Sequence, residues 1–451
     1  MSAGHDQSGP APEDPAGPSP SVPRPSGLVL SPFRALRYDT ARAGHLSALT
    51  SPPYDVIDAD GVTALESASK HNVVRLILPR DDVAAGQDRY DGAAATLTAW
   101  RDAGALVPDE RPALYVYEQA EPGGHVQRGL LGALALSPPE DAIVLPHENT
   151  MAGPVSDRLA LYTAVGADLE PIFLVYDGGG AASAAVAAVD EPAGPGDLLV
   201  DAVLGDGLRH RLWAITDPAV LAAVAADLLP RKALIADGHH RYATYLQRQA
   251  ARHEQGDGPG PWDAGLCLLV DATAFGPQVH PIHRYIPGIA PGVLAARAAD
   301  GMAVRHLGGD LEHGLAELAA AGEAGPAFLL ASGDGSELHL LTEPDPDQLS
   351  AAVPAGRSAA WAALDVSVLH AFLVEHLWGL PDDEEHVAFE HDVTGALAAA
   401  ARTGGTAVLL NATSVEDVAA VAGRGERMPR KSTLFTPKPR TGLVIRDHRD
   451  G

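Results

Sequence analysis

Cysteine is almost missing from this 451-residue chain: Cys267, inside the apolar run GLCLLV, is the only one. Without a second thiol there is no internal disulfide and no cysteine-based zinc site, and an inert, buried thiol in a reducing compartment is expected. Basic residues are scarce too, 32 Lys and Arg against 59 Asp and Glu, for a net charge of -27. That balance argues against broad adhesion to DNA, RNA or an anionic membrane, so neither nucleic acid nor membrane is an expected partner, while one local basic pocket stays compatible with it. No stretch reaches the ~18 consecutive apolar residues of a membrane span. The sequon at Asn411 therefore has no secretory context, and a cytoplasmic protein is expected.

Familiar signatures are missing as well. The chain has no Gly-Lys dipeptide and so no Walker A loop, and it lacks the G-x-G-x-x-G, G-x-S-x-G and H-E-x-x-H patterns. A P-loop kinase, a nicotinamide or flavin Rossmann enzyme, an α/β-hydrolase and a zincin all lose their simplest support.

What is present reads as α+β with a mixed-sheet core. Residues 1–27, rich in Pro, Gly and Ser, are expected to be a disordered tail and not a signal peptide. Residues 28–178 form an N-terminal α/β part, 179–300 a central part and 301–451 a C-terminal α/β part, the three expected to interlock as one unit. NVVRLILP, ALYVYEQ, GLLGALAL, EPIFLVYD and HRLWAIT have strand composition. YDGAAATLTAWRDAG has helical spacing and a Gly stop, and Asp-Pro opens the helix DPAVLAAVAADLL. The stretch from Gly178 to Gly196 is a boundary or an Ala-rich helix. Further on, DLEHGLAELAAAG, AFLLASGDGSELHLLT and DVSVLHAFLVEHLWG read as helix, hairpin and helix, and TAVLLNATSVEDVAAVAGRG as strand, cap and helix.

The stretch LIADGHHRYATYL concentrates polar residues where a strand, KALIA, meets an amphipathic helix, RYATYLQRQAARHE. Free amides at a helix start, the macrodipole and a glycine that lets backbone approach a ligand make such a junction an anion site. Gly238, His239, His240 and Arg241 are the phosphate-binding candidates, with Asp237 beside them. The other reading is an Asp N-cap followed by surface polar residues. Adjacent histidines diverge by about 100° on a helix, a poor pair for zinc, which is not expected.

PFRALRYD, SPPYDVI, HNVVRLILP, LPHENTMAGPVSDRLALY, IADGHHRYATYL, PIHR and MPRKSTLFTPKPRTGLVI occur in order along the chain. Together they resemble the domain-of-unknown-function family numbered 1015, and ADGHHR resembles the phosphate-binding turn of the ParB/sulfiredoxin-like fold, which includes free-serine kinases. The resemblance implies a ParB/sulfiredoxin-like strand-turn-helix unit and a serine kinase taking phosphate from pyrophosphate.

Two further segments carry chemistry of their own. In LPHENTMAGPVSDR a Gly/Pro-broken loop offers His147, Glu148, Asp157 and Arg158; Glu148 is the preferred base, and Glu148 or Asp237 the candidate magnesium ligand. Only four of the 32 cationic side chains are lysines, and two of them, Lys431 and Lys438, lie in MPRKSTLFTPKPR. A compact ammonium at Lys431 suits a transferring phosphoryl group, and Ser432 or Thr433 an oxyanion. His283 and Arg284 of PIHR are candidates for the same anion pocket, and Tyr54 and Asp55 for substrate binding beside His147, Asp157 and Arg158.

Segments near residues 51, 147, 239, 283 and 431 are therefore expected to converge on one pocket. Three functions fit it: a phosphotransferase acting on a small hydroxy amino acid, L-serine foremost, with pyrophosphate, ADP, ATP or CTP as donor; a nucleotide-binding switch of ParB type; and a metal-dependent phosphatase. In the first, His240 and Asp237 join Glu148 and Lys431 in the chemistry, and Mg²⁺ bridges phosphate oxygens.

Overall fold

The computed structural model describes residues 22–81 and 88–450. Most of the expected tail, residues 1–21, lies outside the described residues. Beyond it Arg24 pairs with Asp141 at 3.0 Å, and the Leu28 N–H donates to the Leu229 carbonyl at 3.2 Å.

Two sheets organise an α+β fold. The first has nine strands, in the order Val144–Leu145, Ala233–Asp237, Ile172–Tyr176, Ala264–Asp271, Val126–Ala135, Leu114–Ala120, Arg209–Ile215 and Gly196–Val203, with Leu30–Ser31 also on Val126–Ala135. It is mixed: Ile172–Tyr176 runs parallel to Ala264–Asp271 but antiparallel to Ala233–Asp237. Ile172 to Tyr176 and Leu266 to Val270 are buried at every position, the continuous apolar pattern of strands covered on both faces. One face packs against Leu161, Tyr162, Tyr242 and Tyr245 of the helices Ala152–Val165 and His239–Glu254. The other is covered by Val418 and Val421 of the helix Val415–Ala422 and by Phe435, Leu443 and Val444.

The second sheet is wholly antiparallel, ordered Ala303–Gly308, Leu338–Thr342, Phe328–Ser332, Thr406–Leu410, His283–Ile286 and Ala388–Glu390. Successive side chains alternate between two cores, Phe328 and Leu330 joining Phe372 on one face, Leu329 and Ala331 joining Leu318 and Ala396 on the other. After this excursion the chain returns to the first sheet's neighbourhood. Leu434–Thr436 pairs with Gln278–His280, and Arg446–Asp447 with Ala167–Asp168. Asp168, fully buried, accepts hydrogen bonds from Arg248 at 2.7 Å, Arg446 at 2.8 Å and His448 at 3.2 Å. Burial pushes its carboxyl up, but Arg248, His448 and Arg446 outweigh it and hold it far below the usual range.

One expected strand is a helix. In NVVRLILP, Val74–Ile77 is helical, because the Asn72 side chain accepts the Val74 N–H at 2.9 Å and donates to the Ala48 carbonyl at 2.8 Å. A short buried apolar run carries no period that separates strand from helix. The Ala-rich stretch after Gly178 is a helix, Gly180–Ala187, and Val368–Leu377 winds as a π-helix. Cys267 is a buried free thiol. Among the described residues no helix is long and apolar enough to cross a membrane.

Candidate functional site

Two strands end side by side at one edge of the first sheet. Val144 and Leu145 pair in parallel with Ala233 and Leu234, so the loop bearing Glu148 and the turn after Asp237 leave the sheet together. Gly238, at φ +94°, makes that turn, a left-handed conformation that glycine adopts without steric cost. The helix begins at His239, so the two histidines and Arg241 form its first turn and not a preceding loop.

No side chain caps this helix start, which corrects the Asp N-cap reading. The first amide to reach a carbonyl of the turn is that of Tyr242, which donates to Gly238 at 2.9 Å. The amides of His239, His240 and Arg241 thus lack intrahelical acceptors at the positive end of a 16-residue helix. Asp237 is occupied instead with Lys438, whose Nζ lies 2.6 Å away, and with Arg241.

A cavity of about 710 Å³ opens over this junction. It draws Tyr54 and Asp55 from a short 3₁₀ turn, Glu148 from the loop, residues 237–241 from the strand-turn-helix, and Lys431, Thr433 and Lys438 from the returning C-terminal segment. Segments separated by hundreds of residues meet here. Lys438 also reaches Asp55 at 3.4 Å. Its backbone is held by Gln119, which donates to the Lys438 carbonyl at 3.0 Å, and by Gln127, which donates to Pro437 at 3.0 Å. Burial alone would lower the Lys438 ammonium, but Asp237 and Asp55 outweigh it and raise it above its ordinary value. Burial likewise pushes Asp55 up, and Lys438 and Arg241 overcome it to hold that carboxyl low.

Glu148 behaves differently. Burial, aided by Asp237, lifts its carboxyl to about 6 against the opposing pull of Lys431, Lys438 and the Ser432 amide. Lys431 stands in a left-handed backbone conformation at φ +56°, unusual for a side chain with a Cβ. Its carbonyl accepts from Arg284 at 3.0 Å.

Several expected residues sit elsewhere. His283 and Arg284 do not line the cavity, which meets their segment at Ile282. The His283 ring accepts the Leu410 N–H at 3.3 Å, and Arg284, fully buried, donates to the carbonyls of Ile282 and Lys431 and to His370. Ser432 turns away to the Pro429 carbonyl. His147 is buried behind the wall, its Nε2 at 3.1 Å from Thr433 Oγ1, and burial lowers its imidazole to about 4. Asp157 and Arg158 face a separate cleft of about 420 Å³, where Asp157 pairs with Arg89 at 2.8 Å and Arg158 donates to the Ile77 carbonyl at 2.6 Å. Arg158 touches the main site only from behind, stacked 4.4 Å from the Tyr54 ring. Lys438 and Arg440 line the cavity although neither was among the expected site residues; the rarity of lysine was the signal for the first.

Among the described residues no group of three His, Cys, Asp or Glu side chains is arranged to hold a metal ion. Asp55 and Asp237 are tied to Lys438 and Asp206 to Arg440, which leaves Glu148 as the carboxylate of the cavity lining without an ion pair among the described residues.

Solved structures similar to this chain share little sequence identity with it. A free serine kinase variant in complex with ADP is similar at 13% identity and a TM-score of 0.35, over 74% of this chain and 97% of that one. A conserved hypothetical protein from Pyrococcus furiosus is similar at 14% identity and a TM-score of 0.32, over 73% and 99%. SbnI with a C-terminal truncation, from Staphylococcus aureus, is similar at 9% identity and a TM-score of 0.33, over 70% and 87%. A search of curated proteins found no match. The family described as protein of unknown function DUF1015 matches residues 30–367, well over half of the sequence, and the chain belongs to that family.

Proposed function

We propose that the cavity transfers a phosphoryl group from pyrophosphate or a nucleotide to a small hydroxy amino acid, L-serine first among them. One observation carries this reading. Apart from its histidines, the cavity lining has two charged side chains, Glu148 and Lys431, that form no ion pair within the described residues, and they stand beside three open helix-start amides. Opposite charges left unspent around an anion-binding helix terminus suit a reaction that takes a proton from one group and places negative charge near another. The strand, Gly238 and the helix then serve as a phosphate-binding unit of ParB/sulfiredoxin kind.

In this mechanism the amides of His239 to Arg241 hold the transferring phosphate and the acceptor hydroxyl lies against Glu148. The hydroxyl oxygen forms a bond to phosphorus as the bond to the bridging oxygen breaks, and the leaving phosphate departs with the electron pair. Glu148 takes the hydroxyl proton, while Lys431 offsets the developing charge. Mg²⁺, carried in on the phosphates, would lower their repulsion toward the incoming oxygen. Lys438, already neutralised by Asp237 and Asp55, fixes the floor of the site.

The test is phosphorus NMR of the purified protein with L-serine and, separately, pyrophosphate, ADP, ATP and CTP. A new phosphomonoester that needs both substrates supports the reading. Donor hydrolysis that ignores L-serine identifies a phosphatase, and binding without turnover a switch. A pH profile adds a sharper expectation. Because the base must be ionised and Glu148 titrates near 6, kcat/KM should fall as pH drops through about 6 and level off above it. A flat profile over this range would exclude Glu148 as the base.

A further inference from the structure

His239 and His240 are adjacent on the first turn, so their rings diverge, and each meets a different end of the same loop. The Nε2 of His239 accepts the His147 N–H at 3.2 Å, and the Nε2 of His240 accepts the Met151 N–H at 3.0 Å. These two amides flank Glu148, one residue before it and three residues after. We infer that the paired histidines are positioning residues that clamp the Glu148 loop at both ends, and not phosphate ligands through Nε2.

A backbone amide only donates, so each Nε2 that accepts from one carries no proton, and each ring is neutral with its hydrogen on Nδ1. An imidazolium could not make either bond. Burial favours that neutral form in both rings, strongly in His239, which also stacks edge-on against His147 with ring centroids 4.6 Å apart. The divergence that makes neighbouring histidines a poor metal pair suits them to holding two separated points. The loop's other ties lie mostly at its His147 end: the His147 carbonyl accepts the Met428 N–H at 2.9 Å, its Nε2 lies 3.1 Å from Thr433 Oγ1, and the Pro146 carbonyl accepts from Arg427 at 2.9 Å, while the Ser432 amide reaches Glu148 and the Met151 carbonyl accepts the Val155 N–H at 3.4 Å. Met151, by contrast, is held at its amide by His240 while its side chain is 63% exposed.

The clamp rests on the phosphotransfer reading for its consequence but not for its geometry, and the test separates the two. In the wild-type protein, long-range nitrogen–proton NMR should show both rings as the Nδ1–H tautomer. His240→Ala should raise amide hydrogen exchange at Met151 by about tenfold, the scale of one net hydrogen bond. It should also lower kcat by a similar factor while leaving the Kd for pyrophosphate, measured by calorimetry, within about threefold. His240→Gln, whose amide oxygen can still accept, should recover most of the loss, and it serves where the alanine variant folds poorly. Nε2–H tautomers, unchanged exchange, or a pyrophosphate Kd raised tenfold with kcat intact would overturn the clamp. Correct tautomers and faster exchange in a protein that transfers nothing to L-serine would keep the clamp and sink the phosphotransfer reading.

Discussion

Glu148→Gln is expected to cut phosphoryl transfer to L-serine by about 10²–10⁴-fold while pyrophosphate binding is kept. The amide preserves the shape of the side chain but cannot accept the hydroxyl proton. Glutamine also removes a negative charge from the proposed anion-binding cavity, so the donor Kd should stay level or tighten. Phosphoryl transfer through a loose transition state demands little of a base, which favours the lower part of that range. The variant should lose the acidic limb of the pH profile as well. If full transfer survives, Glu148 is not the proton acceptor, and the neighbouring carboxylates are poor replacements: Asp237 and Asp55 share Lys438, at 2.6 and 3.4 Å.

Arg241→Ala should cost about 3–5 kcal/mol of stability, the usual penalty for breaking a buried charge pair from one side. Arg241 is 2% exposed; it pairs with Asp237 and donates to the Pro171 carbonyl at 2.5 Å. Its charge also pulls down the buried Glu170, whose carboxyl burial drives up. Removing the guanidinium leaves Glu170 less compensated, although Lys438 still answers Asp237. The urea unfolding midpoint is the measurement, and a midpoint unchanged from wild type would show that Arg241 is not structural. This expectation reverses the simplest reading of the DGHHR motif, in which its arginine is a surface fork waiting for phosphate. Ligand binding by an Arg241 variant therefore has to be compared at matched folded fraction.

Much of the scaffold was legible because its elements carry local signals. Asp217 before Pro218 announced the helix it caps, accepting the Ala219 N–H at 2.7 Å, and the SGDG turn between two apolar runs announced the hairpin of Phe328–Ser332 with Leu338–Thr342. Of the segments near 51, 147, 239, 283 and 431 expected to converge from their polar character, four line the cavity with polar side chains and the one near 283 reaches it only through Ile282. What escaped depends on partners distant in sequence. Nothing in PIHR says that Arg284 spends its donors on carbonyls and His370, inside the molecule. Asp157 and Arg158 sit in the second turn of the helix Ala152–Val165, where they meet Arg89 and the Ile77 carbonyl instead of the cavity. The rarity of lysine marks Lys431 and Lys438 alike, and only the fold reveals that Asp237 and Asp55 lie on either side of Lys438.

The lock on Asp168 bears on the order in which this molecule can become competent during synthesis. A ribosome delivers the first sheet, its Glu148 loop and the His239–Glu254 helix early, and these can begin to fold as they emerge. Lys431 and Lys438 arrive only after the six-stranded excursion has been made, and Arg446 and His448, which fasten the returning segment to Asp168, come later still. Until then Asp237 and Asp55 face each other across the open cavity without the ammonium that separates them. A nascent chain would thus carry the helix-start junction without the lysines that stand over it, unable to perform the proposed transfer before Lys431 and Lys438 have been made.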